Sequence, residues 1–339
     1  MLDKSLLEKF DSQKMYITYD KWPEIANEAW KSKQNPVSFH GINHIVFAGM
    51  GGSGTLGDVF ASILSKTKIH VNVVKGYLLP QTTDSNSLVI ITSVSGNTVE
   101  TLSILKSARE LKSKIIAFSS GGEIERFCIK NKIQHRTIPQ YLSPRASFPA
   151  YLYTILNVLN STLQIKNEDV LESIKELEKT NKKINSLNLT DDNPSLKLAK
   201  NITKIPLIYY PFGLQSVAIR FKNSLQENVK MHAMIEDVIE ASHNSIVAWE
   251  REFDVQPILL QGVDDFIKTK ERWRILKEIL DEKNLEYEEV FSVSGNILTK
   301  IIDLIYRLDY TSIYLSILSQ IDPSPVKSID ILKKKLESD

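Results

Sequence analysis

Ser93-Val94-Ser95-Gly96-Asn97-Thr98 puts three hydroxyls and a glycine into six residues, just after an apolar run and just before a helical pattern. Such a turn gathers hydroxyls and backbone N–H groups in front of a helix N-terminus, where the dipole favours an anion. No lysine follows the glycine as it would in a nucleoside-triphosphate loop, so the expected guest is a phosphate monoester, best a sugar phosphate. Ser93, Ser95 and Thr98 are the ligand candidates, while Asn97 with Glu100 also reads as a capping box that serves only the helix. A second turn, Gly49-Met50-Gly51-Gly52-Ser53-Gly54, fits the G-x-G-x-x-G pattern of dinucleotide folds. A nicotinamide site also wants an acidic residue closing the second strand, and this chain has Val74-Lys75-Gly76 there. The preferred reading brings Gly51, Gly52 and Ser53 close to a sugar phosphate beside the hydroxyl loop.

Proton chemistry has its candidates in Gln226-Glu227-Asn228-Val229-Lys230 and His243-Asn244, where a carboxylate and a histidine in turns could divide base and acid work. Spacing alone favours ordinary solvated groups for both Glu227 and His243. The remaining histidines, His40, His44, His70, His135 and His232, lack ligand spacing, so no metal is expected. Cys128, the only cysteine, excludes an internal disulfide and reads as a core residue between Phe127 and Ile129.

The elements that must position these residues alternate. Strands are expected at Ile45–Ala48, Ile69–Val74, Leu88–Thr92, Ile115–Ser119 and Gln134–Ile138, with helices between them, which implies a parallel sheet covered on both faces. A long helical region from Ala150 to about Leu189 follows, highly charged over Asn167–Lys183, and is expected to be a solvated cover of the domain junction. After the break at Asp191-Asp192-Asn193-Pro194, strands are expected near Leu207–Tyr210, Pro257–Gln261 and Glu288–Val293. Ser292-Val293-Ser294-Gly295-Asn296 repeats the Ser93–Asn97 letters, with Ile297 in place of Thr98. That echo suggests duplicated domains of which the second has lost its phosphate site.

Composition bounds the rest. With 339 residues the chain has room for two domains, and 42% hydrophobic with 24% charged residues is globular usage. A net charge of +1 gives no nucleic-acid footprint, and no signal peptide or spanning segment is read, so a cytoplasmic protein is expected.

In number, order and spacing, GMGGSG at Gly49–Gly54, SVSGNT at Ser93–Thr98, SPRA at Ser143–Ala146, QENVK at Gln226–Lys230, HN at His243–Asn244 and IDILK at Ile329–Lys333 resemble the bifunctional phosphoglucose/phosphomannose isomerases. The resemblance implies an α/β fold of two sugar-isomerase (SIS) αβα sandwich domains with parallel sheets and terminal helices. These divide as 1–155, a helical connector 156–195, and 196–339. It implies cofactor-free, metal-independent interconversion of glucose 6-phosphate and fructose 6-phosphate through a cis-enediol, with mannose 6-phosphate as a second aldose. Glu227 would be the base, His243 and Lys333 would assist ring opening, and Arg145 would stabilise the oxyanion. It also implies a homodimer in which His243 reaches the neighbouring active site. Val94 and Ser245 depart from the family pattern, Val326 lies where some bifunctional members have a threonine, and the longer stretch Asn167–Asn193 is expected to affect surface shape only. The rivals are a non-catalytic SIS regulator, against which the short N-terminal segment counts, and an SIS isomerase of another sugar phosphate.

Overall fold

Residues 2–338 are described by a computed structural model. The first sheet contains β1 (His44–Ala48), β2 (His70–Val74), β3 (Leu88–Ser93), β4 (Lys114–Ser119) and β5 (Gln134–Thr137), all parallel, in the order β2-β1-β3-β4-β5. Every residue of β1 and β3 is buried. That is why their sequences read as unbroken apolar runs, as central parallel strands covered on both faces must. The helix Gly51–Leu64 lies so close to the sheet that a Cβ at Gly57 would sit 2.8 Å from Val73 and 3.0 Å from Phe47. A larger residue there would lift the helix and expose Val59 and Phe60, each worth about 1.5–3 kcal/mol of burial.

The second sheet repeats the parallel plan with β6 (Ile205–Tyr210), β7 (Met234–Asp237), β8 (Val255–Gln261) and β9 (Glu288–Phe291) in the order β7-β6-β8-β9. The strand β7 is absent from the sequence reading because Met-Ile-Glu-Asp on an edge shows no apolar run. The two sheets share a strand order, but the echoed letters do not share a place in it. Ser93 closes β3, the third strand of its sheet, whereas Ser292 follows β9, the fourth of its own. The echo therefore does not mark equivalent turns, and only the common strand order relates the halves.

Three helices, Phe148–Val158, Asn160–Leu163 and Asn167–Ile184, replace the expected single helical region; the last break falls after Gln164, whose φ is 54°. The charged helix Asn167–Ile184 is no mere solvated cover. It buries Val170, Ile174, Leu177 and Ile184 along one face and packs on the helix Ile297–Leu318, where the Thr180 hydroxyl donates to Asp303 Oδ1 at 2.6 Å. This stretch thus builds the core, against the expectation that it shapes only the surface. Asn193 then caps the helix Pro194–Asn201 by accepting from the N–H groups of Ser195 and Leu196.

The N-terminal helices Lys4–Phe10, Met15–Asp20 and Trp22–Lys31 are tied into the same core. Trp22 stacks between Tyr19 at 4.5 Å and Tyr306 at 5.2 Å, and its indole N–H donates to the Ala146 carbonyl at 3.1 Å. A segment remote in sequence thereby braces the Ser143–Ala146 turn. The halves meet where Gly51–Leu64 packs on the helix Gln215–Ser224. Among the described residues no helix is long and apolar enough to cross a membrane.

Candidate active site

In the first sheet the strand order reverses between β1 and β3, and the turns leaving their carboxyl ends diverge to open a crevice. The glycines after β1 serve close packing. A Cβ at Gly49 would lie 2.9 Å from the Ser53 backbone and 3.0 Å from the Thr92 carbonyl, one at Gly54 would lie 2.8 Å from the Gly49 carbonyl, and Gly51 has φ +53°. Gly52 lies against the backbone of Arg145, 3.5 Å from where its Cβ would be. Ser53 is buried, and its hydroxyl has no hydrogen-bond partner among the described residues.

After β3, the Ser93 and Thr98 hydroxyls pair at 2.8 Å, the Gly96 N–H donates to Ser93 Oγ at 3.1 Å, and the Asn97 N–H donates to Ser95 Oγ at 3.3 Å. Gly96 has φ +70°, and a Cβ there would fall 1.8 Å from the Gly121 carbonyl oxygen. The proposed capping box does not form. Asn97 Oδ1 accepts instead from the Glu123 N–H, at the start of the helix Gly122–Asn131. Thr98 stands at the N-cap of Val99–Glu110 without a side-chain cap bond. The first N–H groups of that helix thus have no side-chain cap.

Glu227 comes from the other half of the chain. The helix Gln215–Ser224 widens into a π turn over Leu225–Val229, a form that tends to accompany functional sites, and ends at Lys230 with φ 60°. The turn aims Glu227 at Arg145, whose Nη1 donates to Glu227 Oε2 at 2.9 Å. Arg145 is only 5% exposed and Glu227 26%. The guanidinium's Nη2 donates to the carbonyls of Pro323 (2.7 Å) and Ser324 (3.1 Å), while Arg145 Nε and Asn228 Oδ1 are buried without a protein partner. Behind them the fully buried Arg220 pairs with Asp309 at 2.6 Å and donates to the Arg145 carbonyl at 2.8 Å. The Tyr19 and Ser224 hydroxyls complete the shell around Asp309. A buried pair satisfied on this many sides fixes its neighbours; losing one partner would cost about 3–5 kcal/mol.

A cleft of about 840 Å³ opens beside Glu227, with Gly51 on one side and Lys230 and His232 on another. Its far wall is the segment from Ile321 to Ile329. That volume suits a hexose phosphate, whereas a second hollow of about 110 Å³ beside Tyr209 falls well below the roughly 300 Å³ where ligand pockets begin. Partial burial, with Arg145 nearby, pushes the Lys230 ammonium below the ordinary lysine range. Two cations beside one carboxylate favour an anionic guest in the cleft.

The candidate residues divide. Gly51 and Glu227 line the cleft, Arg145 touches both Glu227 and the Gly52 turn, and Ser53, Ser93, Ser95 and Thr98 lie in the two turns that open the crevice. His243 and Lys333 are not brought in. His243 sits exposed in the turn after the helix Val238–Ala241, and Lys333 is exposed on the helix Lys327–Ser338, whose first turn alone reaches the cleft. Ile329, Leu332 and Leu336 on that helix are likewise exposed. Lys230 belongs to the QENVK cluster and His232 to the histidines without ligand spacing, but the sequence gives neither of them, nor the Asp322–Ser324 strap, a role of its own, because a lysine that bonds carbonyls, a lone histidine and a strap that offers carbonyls have no sequence signature. Among the described residues no group of three His, Cys, Asp or Glu side chains could hold a metal ion.

Comparisons with known proteins agree with this architecture. Residues 38–156 match the SIS domain family, and residues 191–336 match the bacterial phospho-glucose isomerase C-terminal SIS domain. A bifunctional phosphoglucose/phosphomannose isomerase of Caldicellulosiruptor bescii is 34% identical over 336 residues, covering 95% of this chain and 98% of that one. A D-glucosamine-6-phosphate 4-epimerase of Sulfolobus acidocaldarius is 31% identical over 237 residues, 68% of this chain and 72% of its own. Among solved structures, a hypothetical protein from Thermus thermophilus superposes with a TM-score of 0.72 at 13% identity, covering 99% of this chain and 94% of that one. At that identity the likeness speaks for the fold alone.

Proposed function

The chain belongs to the bifunctional phosphoglucose/phosphomannose isomerase family, and from that premise we propose that it interconverts glucose 6-phosphate, mannose 6-phosphate and fructose 6-phosphate. The observation that carries the reading is the carboxylate of Glu227 held at 2.9 Å by a buried arginine, on the rim of a cleft that also reaches the Gly49–Gly54 turn. Ser53, Ser93, Ser95 and Thr98, with the uncapped start of Val99–Glu110, hold the phosphate. Gly51 and Gly52 let the backbone approach the sugar. Anchored remotely in this way, the substrate spends binding energy on orientation.

Glu227 takes the proton from C2 of the aldose and returns it to C1, so that a cis-enediol lies between aldose and ketose. Arg145, immobilised by the strap carbonyls, faces the oxygen on which negative charge develops, an effect worth about 3–4 kcal/mol for a preorganised donor. His243 and Lys333 assist ring opening from outside the cleft of one chain. We assign His243 to the neighbouring subunit of a homodimer and Lys333 to a docked state of the C-terminal helix. The exposure of His243 and of the Ile329, Leu332 and Leu336 stripe supports both assignments. The chemistry asks for no metal or cofactor, the boundaries 1–155, 156–195 and 196–339 are kept, and the cytoplasm is the expected compartment.

A coupled assay on fructose 6-phosphate with chelator present tests the reading. Wild type should turn over, and Glu227→Gln should lose about 10²–10⁴-fold in kcat with little change in KM. Near-normal turnover by Glu227→Gln would remove Glu227 as the base, and loss of wild-type activity to the chelator would remove metal independence. The likeness to the 4-epimerase supports a second reading. Turnover of D-glucosamine 6-phosphate without turnover of fructose 6-phosphate would establish it instead.

A further inference from the structure

We infer that Lys230 is a positioning residue, whose ammonium ties the π turn carrying Glu227 to the Asp322–Ser324 strap and so holds the far wall of the cleft. Lys230 Nζ donates to the Glu227 carbonyl at 2.7 Å on one side and to the Asp322 carbonyl at 3.0 Å on the other, with the Asn228 and Pro323 carbonyls both at 3.4 Å. Two segments 92 residues apart in sequence thus share one cation. Arg145 grips the same strap through Pro323 and Ser324, sharing the Pro323 carbonyl with Lys230. The strap has few bonds of its own. Pro323 and Pro325 have no N–H to give, and Ser324 bonds only Asp322 and Asp11 beyond the arginine.

Charge-assisted bonds to carbonyl oxygens are the stronger class, and here they replace a regular ladder. From Ile321 to Ile329 the strap and the helix that follows form the cleft wall opposite Gly51. Whatever moves the strap therefore changes the cleft's width, and it also moves the root of the helix bearing Lys333. The Lys230 backbone N–H closes the π turn on the Leu225 carbonyl, so a side-chain replacement leaves that bond in place. Burial and the nearby Arg145 charge disfavour the ammonium at this spot, while its carbonyl ligands and the Asp322 and Glu227 charges hold it there.

The activity arm of the test rests on the isomerase reading; the exchange arm does not. Hydrogen exchange is followed in the full-length chain for wild type, Lys230→Met and Lys230→Arg. Lys230→Met should speed exchange at the hydrogen-bonded amides within 322–329, those of Ser324 and Ile329, by about tenfold or more while β1 and β3 stay protected. It should also raise KM for fructose 6-phosphate about tenfold with kcat changed less than about threefold, and Lys230→Arg should restore most of both. Unchanged exchange at 322–329 in a folded Lys230→Met chain overturns the proposal. A fall in kcat at constant KM with unchanged exchange would likewise overturn it, by making Lys230 a catalytic residue. If wild type does not isomerise fructose 6-phosphate, the functional reading fails and the exchange arm still decides the role of Lys230.

Discussion

The turn after β3 and the turn after β9 carry the same letters, Ser-Val-Ser-Gly-Asn, and have opposite fates. In the first, Gly96 packs under the Gly121 carbonyl, Asn97 is drawn away to the Glu123 N–H, and the following helix starts without a side-chain cap. In the second, Asn296 itself caps the helix Ile297–Leu318 by accepting from the Thr299 N–H. The Glu172 carboxylate reaches across from Asn167–Ile184 to accept from Asn296 Nδ2 at 3.1 Å. One helix starts without a side-chain cap, as the proposed phosphate site requires, and the other turn holds a carboxylate of its own chain. The local letters are the same in both, and the neighbouring helix decides which of them receives a carboxylate.

The largest break in that contrast should come from glycine. Gly96→Ala would push a methyl group into backbone 1.8 Å away at φ +70°, so we expect at least about 3 kcal/mol of lost stability and a KM for fructose 6-phosphate raised roughly a hundredfold or more. Gly295→Ala would meet Glu172 Oε1 at 2.1 Å, the far end of a side chain that can swing aside. It should cost about 1–2 kcal/mol in urea melts and leave KM unchanged. An equal rise in KM in both variants would end the distinction between the turns.

Hydroxyl removal should act more gently. Thr98→Val keeps shape but removes a phosphate donor, and the rise in KM should be about tenfold, because a hydrogen bond to a charged group contributes roughly 1.5–3 kcal/mol. Ile297→Thr in the second turn should create no new phosphate affinity while Glu172 is in place, which calorimetry with inorganic phosphate would show. Asn296→Ala should cost about 1 kcal/mol of stability and no activity, the ordinary loss of an N-cap.

Smallest is a chemical readout of the core under the first turn. Cys128 lies buried on the helix Gly122–Asn131, and burial, then the nearby Glu125 charge, pushes its thiol up to about 12. At about pH 8 native wild type should thus react with a disulfide reagent only as fast as it opens, and Gly295→Ala should match it. Gly96→Ala should react faster, since its helix is displaced. The sign follows from the thiolate: below a raised pKa little thiolate exists in the folded chain, and opening restores the ordinary value.

Both sheets were legible in the sequence because buried parallel strands leave unbroken runs such as Leu88–Thr92, and β7 alone among the strands went unanticipated. Its acids lie on an edge strand that is nowhere fully buried, so no apolar run marks it. The place of the hydroxyl turn was legible because an apolar run gives way there to helical spacing. Lys230 and the strap were not, because a lysine bonded to carbonyls looks like any surface lysine. The role given to Asn167–Ile184 failed because charge on one face of a helix says nothing about the partner of the other.

By itself the sequence determined the parallel α/β plan, the hydroxyl-rich turn after β3 and the family motifs, since each depends on residues close together along the chain. Tertiary structure alone decided that Glu227 meets Arg145, 82 residues earlier, that Arg220 and Asp309 lock the pair from behind, and that one Ser-Val-Ser-Gly-Asn turn stays open while Glu172 fills the other. The physical reason is common to all three. A charged side chain takes its direction from whichever partner the packed helices bring within about 3 Å, and that partner lies too far along the chain for local pattern to name.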